Sequence, residues 1–253
     1  MNKSLRPMFP YFGSKWKMAK KYPAPTYRKL IEPFAGSACY SLHYHWHKVI
    51  LVDLNPIVCG VWDFLTNCSN KDIESLPLMF DHIDEVNTCQ EAKWLIGFWL
   101  KPAKSSPAKS FPPSTLKALS GNYASRPGKS SLASHHCSFW NANVKQRIIK
   151  QKPAISHWKI YNRSYQDIKC NDKATWFIDP PYQSKAGKMY TFNNKGVDFD
   201  ELGLSILGWP GQKIVCEMDG ANWLPFKSLT NQARYGFNGS VDKYKELVFI
   251  DQS

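Results

Sequence analysis

The sequence predicts a doubly wound α/β sheet interrupted by one long cationic insertion. Two observations predict the sheet: short apolar runs end in small-residue or proline turns, and stretches of helical periodicity follow those turns. The third observation concerns the middle of the chain, where the alternation stops and no acidic residue occurs. With 253 residues, 43% of them apolar and 14% aromatic, the chain can bury one substantial core and a smaller second one. No run approaches the ~18 apolar residues of a membrane-spanning helix, and the first thirty residues lack the apolar block of a signal peptide. A cytoplasmic protein with no membrane partner is expected.

Lys29–Glu32 reads as a short buried strand that runs into Pro33-Phe34-Ala35-Gly36-Ser37. A helix-like stretch through Trp46 and the apolar run Val49-Ile50-Leu51-Val52, ending in Asp53, complete a β-turn-α-β unit. Leu54-Asn55-Pro56 breaks that strand, and Val58, Val61, Trp62 and Leu65 then line one side of a helix over Ile57–Leu65. Mixed helical patterns run from Ile73 to Leu100. The Pro/Ser/Lys-rich tract Lys101–Pro113, with Gly121 and Pro127-Gly128 beyond it, predicts long loops. Strands resume at Thr175–Ile178, which leads into Asp179-Pro180-Pro181-Tyr182, and continue at Lys213–Met218 and Tyr244–Ile250, with a helix over Asp200–Leu207. The sheet domain is thus expected from 1–66 and 165–253, and the insertion, mostly helix and loop, from 67–164.

The formal net charge is +13, and its position is informative. From Ala92 to Gln166, 75 residues, there is no Asp or Glu, while thirteen Lys and Arg residues fall there, so the rest of the chain is balanced. Solubility alone is served by mixed signs. A segment of one sign that also carries Tyr123, Phe139, Trp140, Trp158 and Tyr161 points to a polyanion, and nucleic acid suits it best. Arg126, Lys129, Lys145, Arg147, Lys150 and Lys152 are the candidate DNA contacts. Asn141, Asn143, Gln146, Arg126 and Arg147 could read base edges or hold phosphate, and the sequence does not sort these roles.

Seven cysteines, an odd number with no Cys-x-x-Cys pair, indicate reduced and mostly packed thiols. Neither His43, His45 and His47 nor His135-His136-Cys137 has a matching second pair at a ligand spacing, so no metal is expected.

Two polar features fall where an α/β site should be. The turn Phe34-Ala35-Gly36-Ser37 lets backbone amides approach a ligand, and Asp53, at the end of the next strand, can accept from both hydroxyls of a ribose. The same pair occurs in many sheets for purely structural reasons, as a helix cap for example. Asp179-Pro180-Pro181-Tyr182 is more specific: two prolines after a buried strand fix the backbone, remove two amide donors and leave carbonyl oxygens to accept from an amino group. Tyr182, just beyond them at a strand's carboxyl end, is expected outside the core.

Asp179-Pro180-Pro181-Tyr182, Glu32-Pro33-Phe34-Ala35-Gly36-Ser37, Asp53-Leu54-Asn55 and Pro10-Tyr11-Phe12-Gly13-Ser14-Lys15 resemble the ordered motifs of Dam-like DNA adenine methyltransferases. The resemblance covers about the first 66 residues and the stretch from about 165 onward. The basic insertion lies where that family carries its target-recognition domain. The family's amino-terminal motif usually reads Gly-Gly-Lys, whereas this chain has Gly13-Ser14-Lys15.

The resemblance implies a class I S-adenosylmethionine-dependent methyltransferase fold, with a Rossmann-like sheet and S-adenosylhomocysteine as product. It implies that Phe34, Gly36, Ser37 and Asp53 hold the methyl donor, that Tyr11 and Lys15 close over it, and that Asp179 touches both substrates. Asp179, Pro180, Pro181 and Tyr182 are then the catalytic set, acting on N6 of an adenine flipped out of double-stranded DNA. No obligate protein partner is implied, and a monomer or a dimer is compatible. Cytosine carbon-5 chemistry would need a nucleophilic cysteine, typically after proline, and the chain has no Pro-Cys. Cytosine-N4 methylation, more often with serine in place of Asp179, and a catalytically silent nucleic-acid-binding module on the same fold are the alternatives.

Overall fold

Every apolar run expected as a strand is one, and two further strands complete the sheet. The computed structural model describes residues 3–101, 104–111, 139–235 and 241–253, with side chains described outside 230–244. Strands β1 (Lys29–Glu32), β2 (Lys48–Asp53), β3 (Lys159–Asn162), β4 (Ala174–Ile178), β5 (Gly211–Met218), β6 (Lys227–Tyr235) and β7 (Val241–Asp251) form one sheet in the order β3-β2-β1-β4-β5-β7-β6. The five strands β1 to β5 are parallel, and β7 lies antiparallel between β5 and β6. This is a mixed α/β, Rossmann-like, mostly parallel sheet of the doubly wound kind.

Helices α1 (Cys39–His43) and α2 (Pro56–Asn67) follow β1 and β2, and α6 (Phe199–Gly208) precedes β5. Alternation along the fully buried β4 sends its side chains to opposite layers. Trp176 and Ile178 pack with Leu202 and Ile206 of α6, and the Trp176 ring stacks on Trp209 at 4.4 Å between centroids. On the other face Phe177 stacks on Tyr40 of α1 at 4.2 Å and meets Tyr22 edge-on at 5.2 Å. Both faces of the strand are therefore covered, as a parallel sheet requires.

The chain divides into two compact units, one of 1–6, 15–59 and 157–253, the other of 7–14 and 60–156. The first holds the whole sheet. Residues 157–164, expected in the insertion, supply β3, which pairs with β2 through Ile50 to Asp53. An edge strand with half-exposed side chains has no apolar run to announce it.

In the second unit, α3 (Asn70–Glu74), α4 (Gln90–Leu100) and α5 (Ala142–Gln151) enclose an aromatic core. Phe9 stacks on Phe98 at 5.1 Å and leans on Trp62 at 5.3 Å. The indoles of Trp99 and Trp140 donate to the carbonyls of Met8 (3.0 Å) and Pro77 (2.8 Å), so their polar edges are satisfied on burial. Among the described residues no helix is long and apolar enough to cross a membrane.

Candidate active site

The strand order reverses between β1 and β4. From β1 the chain steps outward to β2 and β3, and from β4 it steps the other way to β5. The loops at the carboxyl ends of two such diverging strands leave a crevice where doubly wound sheets bind ligands. Here those loops are the 33–37 turn after β1 and Asp179-Pro180-Pro181-Tyr182 after β4.

The turn is tied to the end of β2. Gly36 has a positive φ of 45° and donates its N–H to Asp53 Oδ2 at 2.9 Å, while Asp53 Oδ1 accepts from the N–H of Asn55 at 2.8 Å. Asp53 thus closes the turn, and each of its oxygens keeps a lone pair for another donor. Burial raises its carboxyl to about 6 against the pull of those two amides. Ser37 Oγ lies 3.3 Å from Cys39 Sγ, and the Phe34 ring lies 5.4 Å from that of Tyr165. Ala38 also has a positive φ, 46°, which places a side chain in the left-handed region.

Beneath the turn, Glu32 ends β1 fully buried and accepts from the Ser41 N–H at 2.7 Å. Burial outweighs that hydrogen bond and raises its carboxyl to about 8. A carboxyl near 4.5 when unfolded and about 8 when folded binds more protons in the native state between those values. Stability therefore falls as pH rises through that window, by roughly 1.4 kcal/mol per pH unit from this group. Glu32→Gln, which keeps the acceptor and removes the proton equilibrium, is expected to melt with the wild type below pH 4.5 and progressively above it toward pH 8. Thermal melting across that range checks this.

Asp179 follows β4 and lies 3.1 Å from Lys15 Nζ. The same ammonium is 3.7 Å from Glu246 Oε1 and 4.4 Å from the centroid of the Tyr182 ring. Lys15 is only 6% exposed. Burial works against its charge, yet the Asp179 and Glu246 carboxylates hold its pKa above the ordinary value. Burial likewise pushes the Asp179 carboxyl up, and Lys15 pulls it back, so an ionised pair suits this geometry.

Tyr182 departs from expectation. It is 7% exposed, its hydroxyl donates to Glu246 Oε1 at 2.7 Å, and one ring face is covered by Lys15. The tyrosine after the prolines is thus buried against a side chain of β7. Pro180 is buried and Pro181 half-buried. Downstream, Asn194 Nδ2 donates to three successive carbonyls, those of Tyr182 (2.8 Å), Gln183 (3.1 Å) and Ser184 (3.0 Å). Glu217, at the end of β5, accepts from the Gln183 N–H at 2.8 Å, and burial raises its carboxyl. The motif is therefore held from both sides.

Sequence reasoning missed Tyr22, Tyr190, Asn194, Glu217 and Glu246. Tyr22 donates to Glu246 Oε1 at 2.6 Å. Tyr190 is held above its ordinary pKa, first by burial and then by the Asp179 charge. Only the position of Glu217 at a strand's carboxyl end was a signal available in advance. Tyr11 belongs to the second unit, where its ring meets Phe98 edge-on at 5.7 Å.

The candidate DNA contacts divide. Arg126 and Lys129 lie outside the described residues. Lys145 donates to the carbonyls of Glu74 (2.8 Å) and Leu76 (2.5 Å), and the buried Lys152 donates to the Cys68 carbonyl, so both ammonium groups close helix ends. Arg147 lies 5.1 Å from the Trp99 ring centroid. Lys150, on α5, is exposed. Asn141 caps α5, its Oδ1 accepting from the Val144 N–H at 3.0 Å, whereas Asn143 and Gln146 are exposed.

The His43 ring is neutral in character, its pKa lowered by burial; its Nε2–H donates to the Trp16 carbonyl at 2.8 Å and Nδ1 accepts from Ser4 at 2.7 Å. Among the described residues no group of three metal-ligating side chains occurs.

Residues 11–92 match the family model for D12 class N6 adenine-specific DNA methyltransferases. The matched stretch holds Tyr11, Lys15, the 33–37 turn and Asp53. No curated protein matches the chain.

Proposed function

We propose, from the match of residues 11–92 to the family model for D12 class N6 adenine-specific DNA methyltransferases, that the chain methylates N6 of adenine in double-stranded DNA, using S-adenosylmethionine. The observation that carries this reading is the position of Asp179, which follows β4 at the strand-order reversal, across the crevice from the β1 turn.

The donor set suits that cofactor. Asp53, with a lone pair left on each oxygen, can accept from the ribose hydroxyls, and the turn through Gly36 and Ser37 gives the backbone close approach. When bound, S-adenosylmethionine supplies a methyl group on a positively charged sulfur that leaves as a neutral thioether.

The chain's own residues must make the adenine amine nucleophilic. Its lone pair is delocalised into the ring, so the task is to localise the pair. The Asp179 carboxylate and the Pro180 carbonyl each accept one amino hydrogen, which draws the nitrogen toward a pyramidal geometry with its lone pair facing the methyl carbon. Transfer of that methyl to the nitrogen would leave the bonding pair on sulfur, and the part of Asp179 and Pro180 is to hold the nitrogen's lone pair ready for it. The nitrogen then carries a surplus proton, which Asp179 is placed to take. Tyr182 offers a ring for the flipped base, with stacking of about 1–3 kcal/mol offsetting part of the extrusion cost.

The cationic segment supplies sequence-independent affinity. Lys145 and Lys152 are each engaged with backbone carbonyls whereas Lys150 is exposed, so Lys150 is the lysine of that group whose removal should read out as a lost phosphate contact. Lys150→Ala is expected to reduce the slope of log affinity against log salt by ~0.9, with melting temperature unchanged. Fluorescence anisotropy over a salt series measures it.

Transfer of labelled methyl from S-adenosylmethionine to unmethylated DNA, with nucleoside analysis of the digest, tests the reading. N6-methyladenine is expected. N4-methylcytosine would overturn the base assignment, and no incorporation despite DNA binding would favour a silent module.

A further inference from the structure

Glu246 enters from β7, the strand farthest from the family motifs in sequence, yet its carboxylate lies among their side chains. One oxygen, Oε1, accepts from the hydroxyls of Tyr182 at 2.7 Å and Tyr22 at 2.6 Å, and the Lys15 ammonium is 3.7 Å from the same atom.

Lys15 sits between two destinations. Its ammonium is 3.1 Å from Asp179 and lies over the Tyr182 ring, 4.4 Å from the centroid. The methylation reading assigns both of these positions to the flipped adenine, its amino group to Asp179 and its ring to Tyr182. A base laid on that ring face displaces the ammonium. At 6% exposure Lys15 is cut off from water, so a charge leaving Asp179 needs another buried counter-ion. Glu246 is the second carboxylate within reach.

We propose that Glu246 is a positioning residue for methyl transfer: it orients the Tyr182 ring through its hydroxyl and takes over Lys15 when the target base claims Asp179. The proposal rests on the adenine-methylation reading. Before DNA binds, Lys15 stands in for the base, covering the ring face and neutralising Asp179. When the base arrives, the ammonium moves toward Glu246, and Asp179 is left with its negative charge directed at the adenine amine. Removing the Glu246 charge would strand Lys15 on Asp179 and set it in competition with the base.

Glu246→Gln tests this, since the amide keeps the side-chain shape and an accepting oxygen but not the charge. Methylation by the wild type is measured first, which identifies a target adenine; an inactive wild type fails the functional reading and not the role of Glu246 within it. Duplexes with 2-aminopurine at that adenine then report base flipping. Glu246→Gln is expected to bind DNA within about 2-fold of the wild type, to lose most of the fluorescence rise, and to lower kcat/KM by about 30-fold or more. The double variant Lys15→Met/Glu246→Gln is expected to do no worse than Lys15→Met, because no ammonium remains to be relocated. Tyr22→Phe, which removes one hydroxyl from the same oxygen and keeps the charge, is expected to lose less than about 3-fold and controls for packing. Flipping and turnover like the wild type in Glu246→Gln would overturn the proposal. So would losses that multiply in the double variant, or a loss in Tyr22→Phe as large as that in Glu246→Gln.

Discussion

Asp179→Ala is expected to lower methyl transfer by at least ~10³-fold while DNA affinity stays within about 2-fold of the wild type. The two effects separate because they come from different parts of the chain. In the proposed reading, affinity for duplex DNA rests on the cationic stretch, which carries the whole net charge. The Asp179 carboxylate is 17% exposed and paired with Lys15, and in that reading it acts at the reacting atom. Alanine would remove the acceptor that localises the amine lone pair and the base that takes its proton. It would also leave Lys15 with Glu246 as its remaining carboxylate partner at 3.7 Å, so a moderate drop in melting temperature is expected as well. Labelled-methyl transfer and anisotropy on the same preparation check both halves. Turnover close to the wild type would sink the mechanism, and a parallel collapse of DNA binding would show that Asp179 also shapes the DNA-binding surface.

Gly211→Ala is expected to destabilise the fold by about 3 kcal/mol or more, a fall in melting temperature of ~6–12 °C. Gly211 opens β5 with φ of 103° and stands opposite Ala174 in the β4–β5 ladder. A Cβ there would lie 2.3 Å from the Ala174 carbonyl oxygen and 2.7 Å from its nitrogen. Both are backbone atoms of a fully buried strand, so neither can turn aside as a flexible side chain would. The residue would be strained by its dihedral, and the two central strands would be forced apart where Trp176 and Phe177 anchor both faces. Denaturant or thermal unfolding measures the loss; a variant as stable as the wild type would show that the strands can separate at that end at little cost.

The sheet and the site differ in how far they could be read from sequence. Strands β1, β2, β4 and β5 carry continuous apolar runs because helices cover both their faces, and a run of that kind is visible without a structure. The edge strand β3 and the polar Lys227–Tyr235 segment of β6 lack it, and both were missed. Within the site, Lys15, Gly36, Asp53 and Asp179 stand in motifs whose order is itself informative. Glu246 has no such mark. In Tyr244–Ile250 a glutamate among apolar residues looks like the solvent-facing member of an alternating strand, and only the antiparallel pairing of β7 against β5 turns it toward Asp179. Tyr182 was misjudged for a related reason: its burial depends on a carboxylate supplied 64 positions later. Charge composition likewise does not reveal that the ammonium groups of Lys145 and Lys152 meet helix-end carbonyls.

The insertion of β7 between β5 and β6 has a consequence for the order in which a newly made molecule gains its abilities. Tyr22 and Glu246, joined by a hydrogen bond, are 224 positions apart. Contacts of such separation form late, after the long loops between them have closed. A chain still leaving the ribosome exposes its cationic segment, and can meet nucleic acid, well before the carboxylate from β7 exists to complete the pocket. Attraction to the polymer would thus precede the proposed competence to modify it.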